Sequence, residues 1–184
     1  MRFVVAIPRV REMILAGVRS AGGGLEVEET AALPRGPGLP ERVQESGFAG
    51  RPCVLVVPSS LCYTLLHRPG VGDAGRVAET IAYEVERDLP VAVEEMRVAY
   101  RYRAEPGSGG GEDECACVAA VREEDLDALL EDVREAGLDP VAAVPEGLAL
   151  ADGYRAVGLP EAGELAVGLR VDARGAELLC YAGG

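Results

Sequence analysis

Along the first sixty residues, apolar and polar positions alternate or run together in the manner of strands. FVVAIP (3–8) is a short apolar run rich in β-branched residues. EMILAGVR (12–19) and LEVEETAAL (25–33) follow, with AGGG (21–24) between them as a hairpin signal. The three predict an antiparallel meander. PRGPGLP (34–40) reads as a loop, and PERVQESGF (40–48) as a short helix opened by Pro40 and closed by Gly47. CVLVVP (53–58) is apolar throughout, which predicts a strand with neighbours on both sides.

From Leu61 the pattern changes. LCYTLLH (61–67) predicts a strand and GVGDAG (70–75) a loop. A helix is predicted from about Gly75 to Leu89, because Val77, Ile81, Val85 and Leu89 recur every four residues. Pro90 ends it and biases Leu89 toward extended geometry. MRVAYRYRA (96–104) alternates as a strand with Tyr100 and Tyr102 on one face, EPGSGGGEDE (105–114) is a hairpin tip, and CACVAAV (115–121) returns. EEDLDALLEDVREAG (123–137) is a helix with Leu126, Leu129, Leu130 and Val133 on one side, acids at its start and Gly137 at its stop. PVAAV (140–144) is a short strand. The order from Leu61 to Val144 is therefore β-α-β-β-α-β, that of a ferredoxin-like unit. PEGLALADGYRA (145–156) predicts another helix, and 163–184 two strands joined at an Ala-Arg-Gly turn.

Composition narrows the function. The 184 residues carry 31 acidic and 18 basic side chains, a net charge of −13, which disfavours nucleic acid and anionic lipid and leaves basic protein surfaces as natural partners. Solubility alone accounts for the same charge. No apolar run approaches the roughly 20 residues that span a bilayer. The N-terminal apolar run is broken by Arg9 and Arg11, which argues against a signal peptide. Cys53, Cys62, Cys115, Cys117 and Cys180 are an odd number and sit mostly in apolar runs, the setting of reduced, buried thiols. Cys115 and Cys117 share a strand face, but a zinc site needs more soft ligands, and the one histidine, His67, is remote in sequence.

Two further motifs fail on context. The GSGGG of 107–111 joins two strands and lacks the Lys-Ser/Thr of a phosphate-binding loop. Ser59 and Ser60 have neither a nearby base nor the flanking glycines of a nucleophile elbow. Glu94/Glu95 and Glu123/Glu124/Asp125 suit helix starts better than acid–base catalysis. The expectation is a chain that is not an enzyme.

Three stretches in order carry a family resemblance: VLVVPSSLCYTLLHRPG, AETIAYEVERDLPVAVEEMRVAYRY, and CACVAAVREEDLDALLEDVREAGLDPVAAVPEGLALADGY. Together they resemble the type IV pilus assembly protein M and general secretion pathway protein L family, over Val54 to Tyr154. The resemblance implies an actin-like (ribonuclease H-like) subdomain from 1–60 plus 145–184, with an incomplete second half, and an inserted β-α-β-β-α-β subdomain from 61–144. The expected fold class is thus α+β or α/β.

The departures bear on chemistry. ATP-binding members carry a first phosphate loop resembling D-x-G-x-x-S/T-x-K, whereas this chain has no Asp, Gly, Ser, Thr or Lys between Phe3 and Glu12. Without an acid for Mg²⁺ or a glycine for close backbone approach, nucleotide loses its anchorage. At the second phosphate loop Asp172 is retained and Gly175 is shifted by one, a half-match that an ordinary turn also explains. ATP and Mg²⁺ are therefore disfavoured as cofactors, and the chain resembles the secretion branch more than the pilus branch.

The resemblance implies a cytoplasmic scaffold, peripheral at the inner membrane, that binds a membrane partner's cytoplasmic tail and the secretion ATPase, with a homodimer possible. The alternative is an actin-like ATPase whose remaining half lies elsewhere. Arg97, Tyr100, Arg101 and Tyr102 are the candidate partner contacts, since Tyr and Arg suit such surfaces; a solvated strand face is the competing reading.

Overall fold

Both β-branched runs of the N-terminal segment become neighbouring strands. The computed structural model describes residues 1–22, 24–67, 81–103, 115–156, 165–172 and 175–182. Strands β1 (Arg2–Pro8), β2 (Glu12–Ala21) and β3 (Gly24–Pro34) form the antiparallel meander. Strand β4 (Pro52–Val57) lies parallel to β1, and β8 (Asp139–Pro145) lies parallel to β4, giving a five-stranded sheet in the order β3-β2-β1-β4-β8. The apolar run of β4 thus has a neighbour on each side, as its composition requires.

Helix α1 (Leu39–Glu45) has Pro40 in its first turn, where a missing N–H costs nothing, and Gly47 follows its end at φ +78°. Helix α3 (Glu123–Glu135) buries the stripe predicted for it: Val133 is fully buried, with Leu126, Leu129 and Leu130 packed beside it. Its end is a glycine-dependent cap. Gly137 adopts φ +87°, and Leu138 N–H donates to the Val133 carbonyl at 3.2 Å while its own side chain is buried. Both helices pack on one face of the five-stranded sheet, and Phe48, Met13, Leu15, Leu55 and Val43 fill the core between them.

A second, smaller core belongs to the insertion. Strands β5 (Cys62–His67), β7 (Cys115–Arg122) and β6 (Met96–Arg103) form an antiparallel sheet in that order. Residues 81–85 form the helical segment α2, whose Ile81 and Val85 pack on Ala116 and Val118. The helix tightens into a 3₁₀ turn at Glu86–Asp88, and Leu89 is extended (φ −95°, ψ 150°) ahead of Pro90, the stop that the proline imposes. Val77 and the predicted tip at 105–114 lie outside the described residues.

The order of elements is the expected one, but the last strand of the expected β-α-β-β-α-β unit has a different partner. Strand β8 pairs with β4 in the large sheet instead of lining up beside β5. The reason is α3. Its apolar stripe faces the first core, so the helix serves as the crossover that a parallel β4–β8 pair needs. Helix α4 (Glu146–Ala156) follows, then the antiparallel pair β9 (Leu165–Asp172) and β10 (Gly175–Ala182). No helix among the described residues is long and apolar enough to cross a membrane.

Candidate functional site

Two places in this fold gather polar or exposed groups from distant elements. The first lies at the carboxyl ends of the parallel strands β1, β4 and β8, the edge where open α/β sheets receive ligands. Each strand runs into a proline there: Pro8, Pro58 and Pro145. The residues that follow these prolines meet. Arg9 Nη1 lies 2.8 Å from Glu146 Oε1, and the Ser59 backbone N–H donates to Glu146 Oε2 at 3.4 Å.

Glu146 opens α4 and is only 4% exposed, the one buried charged side chain among the described residues. A carboxylate at a helix start is favoured by the exposed N–H groups of the first turn. Here it also neutralises Arg9. Ser59 Oγ is buried and has no hydrogen-bond partner among the described residues. Sequence reasoning missed Arg9 and Glu146, although three strand-ending prolines were a usable signal.

The second place is the face of the inserted sheet turned away from α2. Alternation along β6 splits the predicted partner residues. Val98 and Tyr100 pack toward the second core, whereas Arg97, Ala99 and Arg101 occupy the other face and are exposed. Tyr102 pairs with Ala116 in the register, and its side chain is outside the described set. The register places Thr64 and Leu66 of β5, and Ala119 and Cys117 of β7, on the face of Ala99 and Arg101. Leu66 is 74% exposed there.

Arginines tie this face to the first core's elements. Arg97 Nη2 bonds Glu123 Oε1 at the start of α3, at 2.5 Å. Arg101 grips both oxygens of Asp152 on α4, at 2.8 and 2.9 Å. Hydrogen bonding to Asp152, and then its charge, raise the Arg101 pKa further, against a small opposing effect of burial. The result is a shallow, small-residue sheet face with α4 tethered along one side.

The remaining candidates sit apart from these two places or close a turn. Asp172 and Gly175 pair across the β9–β10 hairpin, with 173–174 outside the described residues. His67 Nε2 lies 2.8 Å from Glu84 Oε2, joining β5 to α2. Cys53 is buried in the first core and its thiol is pushed up to about 11, first by burial and then by the Asp139 carboxylate. Among the described residues, no three His, Cys, Asp or Glu side chains gather as a metal site would require.

No family model matches the sequence, and no curated protein does. Solved structures do. The chain is similar to the structure of the PilM-PilN type IV pilus biogenesis complex, with a TM-score of 0.83 and 20% identity over 100% of this chain and 59% of that one. It is similar to the cytoplasmic domain of EpsL, an inner-membrane component of the type II secretion system of Vibrio cholerae, with a TM-score of 0.65 and 15% identity over 99% of this chain and 71% of that one. A Bacteroides thetaiotaomicron protein with an actin-like ATPase fold aligns at a TM-score of 0.51 and 10% identity, over 98% of this chain and 65% of that one. At these identities the likeness is one of fold. The fold is actin-like, and the chain spans 59% of the length of the first of these structures.

Proposed function

We propose that this chain is a non-catalytic scaffold of an inner-membrane platform of the type IV pilus or type II secretion kind, peripheral on the cytoplasmic side. It holds a segment of a membrane partner against the open face of the inserted sheet, beside α4. The observation that carries this reading is the Arg9–Glu146 pair at the carboxyl ends of β1, β4 and β8. A buried carboxylate at that edge repels phosphate, and the guanidinium that would attract phosphate is already committed to it. The actin-like fold is thus kept while its ligand edge is closed by the chain's own side chains.

The open face supports the binding half of the proposal. Thr64, Leu66 and Ala99 are exposed and uncharged, and strands β5 and β6 both end the inserted sheet with an unpaired edge among the described residues. A peptide in extended form matches such a surface, with main-chain hydrogen bonds at an edge and small side chains beneath it. Arg97 and Arg101 border the face, and Tyr100 supports it from behind.

Two measurements test the proposal separately. Titration with a fluorescent ATP analogue and Mg²⁺ is expected to show no saturable binding, and micromolar affinity defeats the non-catalytic half. Immobilised wild-type protein is expected to retain the cytoplasmic tail of the platform's membrane protein, and Leu66→Glu to lose it. Equal retention by both proteins removes the sheet face as the site. A second reading, an actin-like ATPase completed by chain supplied elsewhere, has one observation in its favour: the buried Ser59 Oγ at the same strand ends, which has no hydrogen-bond partner among the described residues.

A further inference from the structure

The two hydrophobic cores meet only where the chain passes between them. Of the residues from 61 to 122, the first core takes in Leu61, Cys62 and Val121, whereas Ile81, Val85, Ala116 and Val118 make the second. Among the described residues, none belongs to both. The chain enters the inserted sheet through one 3₁₀ turn at Ser59–Leu61 and leaves it at Arg122, directly before α3. The register pairs Cys62 with Val121, so entry and exit lie side by side. The insertion therefore stands on a two-stranded stalk. Bodies joined with so little shared apolar contact ordinarily move relative to one another.

The junction beside the stalk is not packed shut. A cavity of about 290 Å³ lies there, lined by Glu94, Glu95, Arg122, Glu123 and Glu124. Two ion pairs cross between the bodies at different distances from it. Arg97 is opposite Val121 in the register and bonds Glu123 at 2.5 Å, next to the stalk. Arg101 lies four residues farther along β6, about 14 Å out at about 3.4 Å per residue. Its two bonds, at 2.8 and 2.9 Å, end on Asp152 of α4. A rotation of roughly 15° about the stalk carries Arg101 through about 3.5 Å, well beyond hydrogen-bond reach of Asp152, and barely moves Arg97.

We propose that the Arg101–Asp152 fork is a latch. It holds the inserted sheet against α4, and its release lets the sheet rotate as one body about Cys62 and Val121, widening the gap between the sheet face and α4. The second core travels with the sheet and the first stays behind, so neither is opened by the motion. The strength of the fork suits a latch. Both partners are substantially exposed, and an exposed pair shifts an equilibrium by up to about fivefold. That is enough to choose between two positions of similar stability and too little to fix one permanently. The latch concerns where the sheet sits, whatever its face binds, so it stands or falls independently of the proposed function.

Residual dipolar couplings of the backbone amides, measured on the full chain in a neutral stretched gel, report the orientation of each sheet. At low salt the wild type is expected to fit both sheets to one alignment tensor. Asp152→Ala is expected to tilt the inserted sheet by roughly 15° or to lower its alignment relative to the five-stranded sheet, and about 1 M salt to do the same to the wild type. Glu123→Gln, beside the stalk, is expected to change neither. The couplings of the five-stranded sheet show in the same spectra that each variant is folded. Three outcomes overturn the proposal. If Asp152→Ala matches the wild type, the fork holds nothing. If the wild type at low salt already needs two tensors, the sheet is not latched. If Glu123→Gln acts as strongly as Asp152→Ala, the effect is a general loosening without a lever.

Discussion

Glu29 folds its side chain over the bare α-carbon of Gly17. A Cβ placed at Gly17 would stand 2.6 Å from the Glu29 carboxylate and 2.7 Å from its Cγ. Only by crossing that space does Glu29 reach Arg51, whose guanidinium also lies over the Phe48 ring at 5.3 Å. Replacing glycine by alanine within a strand ordinarily stabilises by about 0.4–1 kcal/mol through the unfolded chain. Here the gain is offset by losing a partly exposed ion pair, which is worth up to about 1 kcal/mol. Gly17→Ala is therefore expected to leave stability nearly unchanged in the wild type, and to stabilise the Glu29→Ala variant. Urea denaturation of the four proteins checks this, and equal effects in both backgrounds would break the link between Gly17 and Glu29.

The Arg9–Glu146 pair is expected to respond asymmetrically to its two single deletions. The Arg9 side chain is 29% exposed and that of Glu146 is 5% exposed. Arg9→Ala removes the guanidinium from a buried carboxylate and is expected to cost about 3 kcal/mol. Glu146→Gln leaves an arginine that can turn to water and an amide that still accepts from Ser59, and is expected to cost about 1 kcal/mol. Chemical denaturation midpoints decide it. Equal costs would mean that Glu146 is less isolated from solvent than its burial indicates.

Local pattern made most elements legible. The period-2 runs of β1 to β3 and the stripe of Leu126, Leu129, Leu130 and Val133 each name an element and the face it buries. The partner of β8 was not legible, because Pro-Val-Ala-Ala-Val is a short apolar run that suits any sheet. Only the packing of α3 decides which sheet it joins. The separation of Tyr100 from Arg101 did follow from the sequence, since alternation that unites Tyr100 with Tyr102 excludes Arg101 from their face. Contacts between charges far apart were hidden. Ser59 and Glu146 are 87 residues apart, and Arg101 and Asp152 are 51 apart, with nothing local to link them.

The Arg101–Asp152 fork is expected to matter more for where the inserted sheet sits than for stability. Both side chains are substantially exposed, 65% and 43%, so a double-mutant cycle with Arg101→Ala and Asp152→Ala is expected to give a coupling of at most about 1 kcal/mol. The coupling should shrink in 1 M salt, where screening acts within about 3 Å. Arg101→Lys keeps the charge but not the two parallel bonds, and is expected to retain only part of it. A coupling that survives high salt would place the pair in a drier setting than its exposure implies.

Cys53 gives the chain a loss of stability in alkaline solution. Burial, reinforced by the Asp139 carboxylate, lifts the thiol from 9.0 to about 11 in the folded chain. Below pH 9 both folded and unfolded forms keep the proton, and the favourable environment of the neutral thiol is fully available. Between pH 9 and 11 the unfolded chain releases its proton while the folded chain holds it, so stability falls as pH rises. The expected loss attributable to Cys53 is about 2 kcal/mol by pH 10.5. The sequence contains no lysine, so the groups that titrate alongside are chiefly tyrosines and other thiols. Comparison with Cys53→Val removes their contribution: the variant is expected to lose markedly less stability than the wild type between pH 8.5 and 10.5. Parallel losses in the two proteins would show that the Cys53 thiol ionises as readily in the fold as outside it.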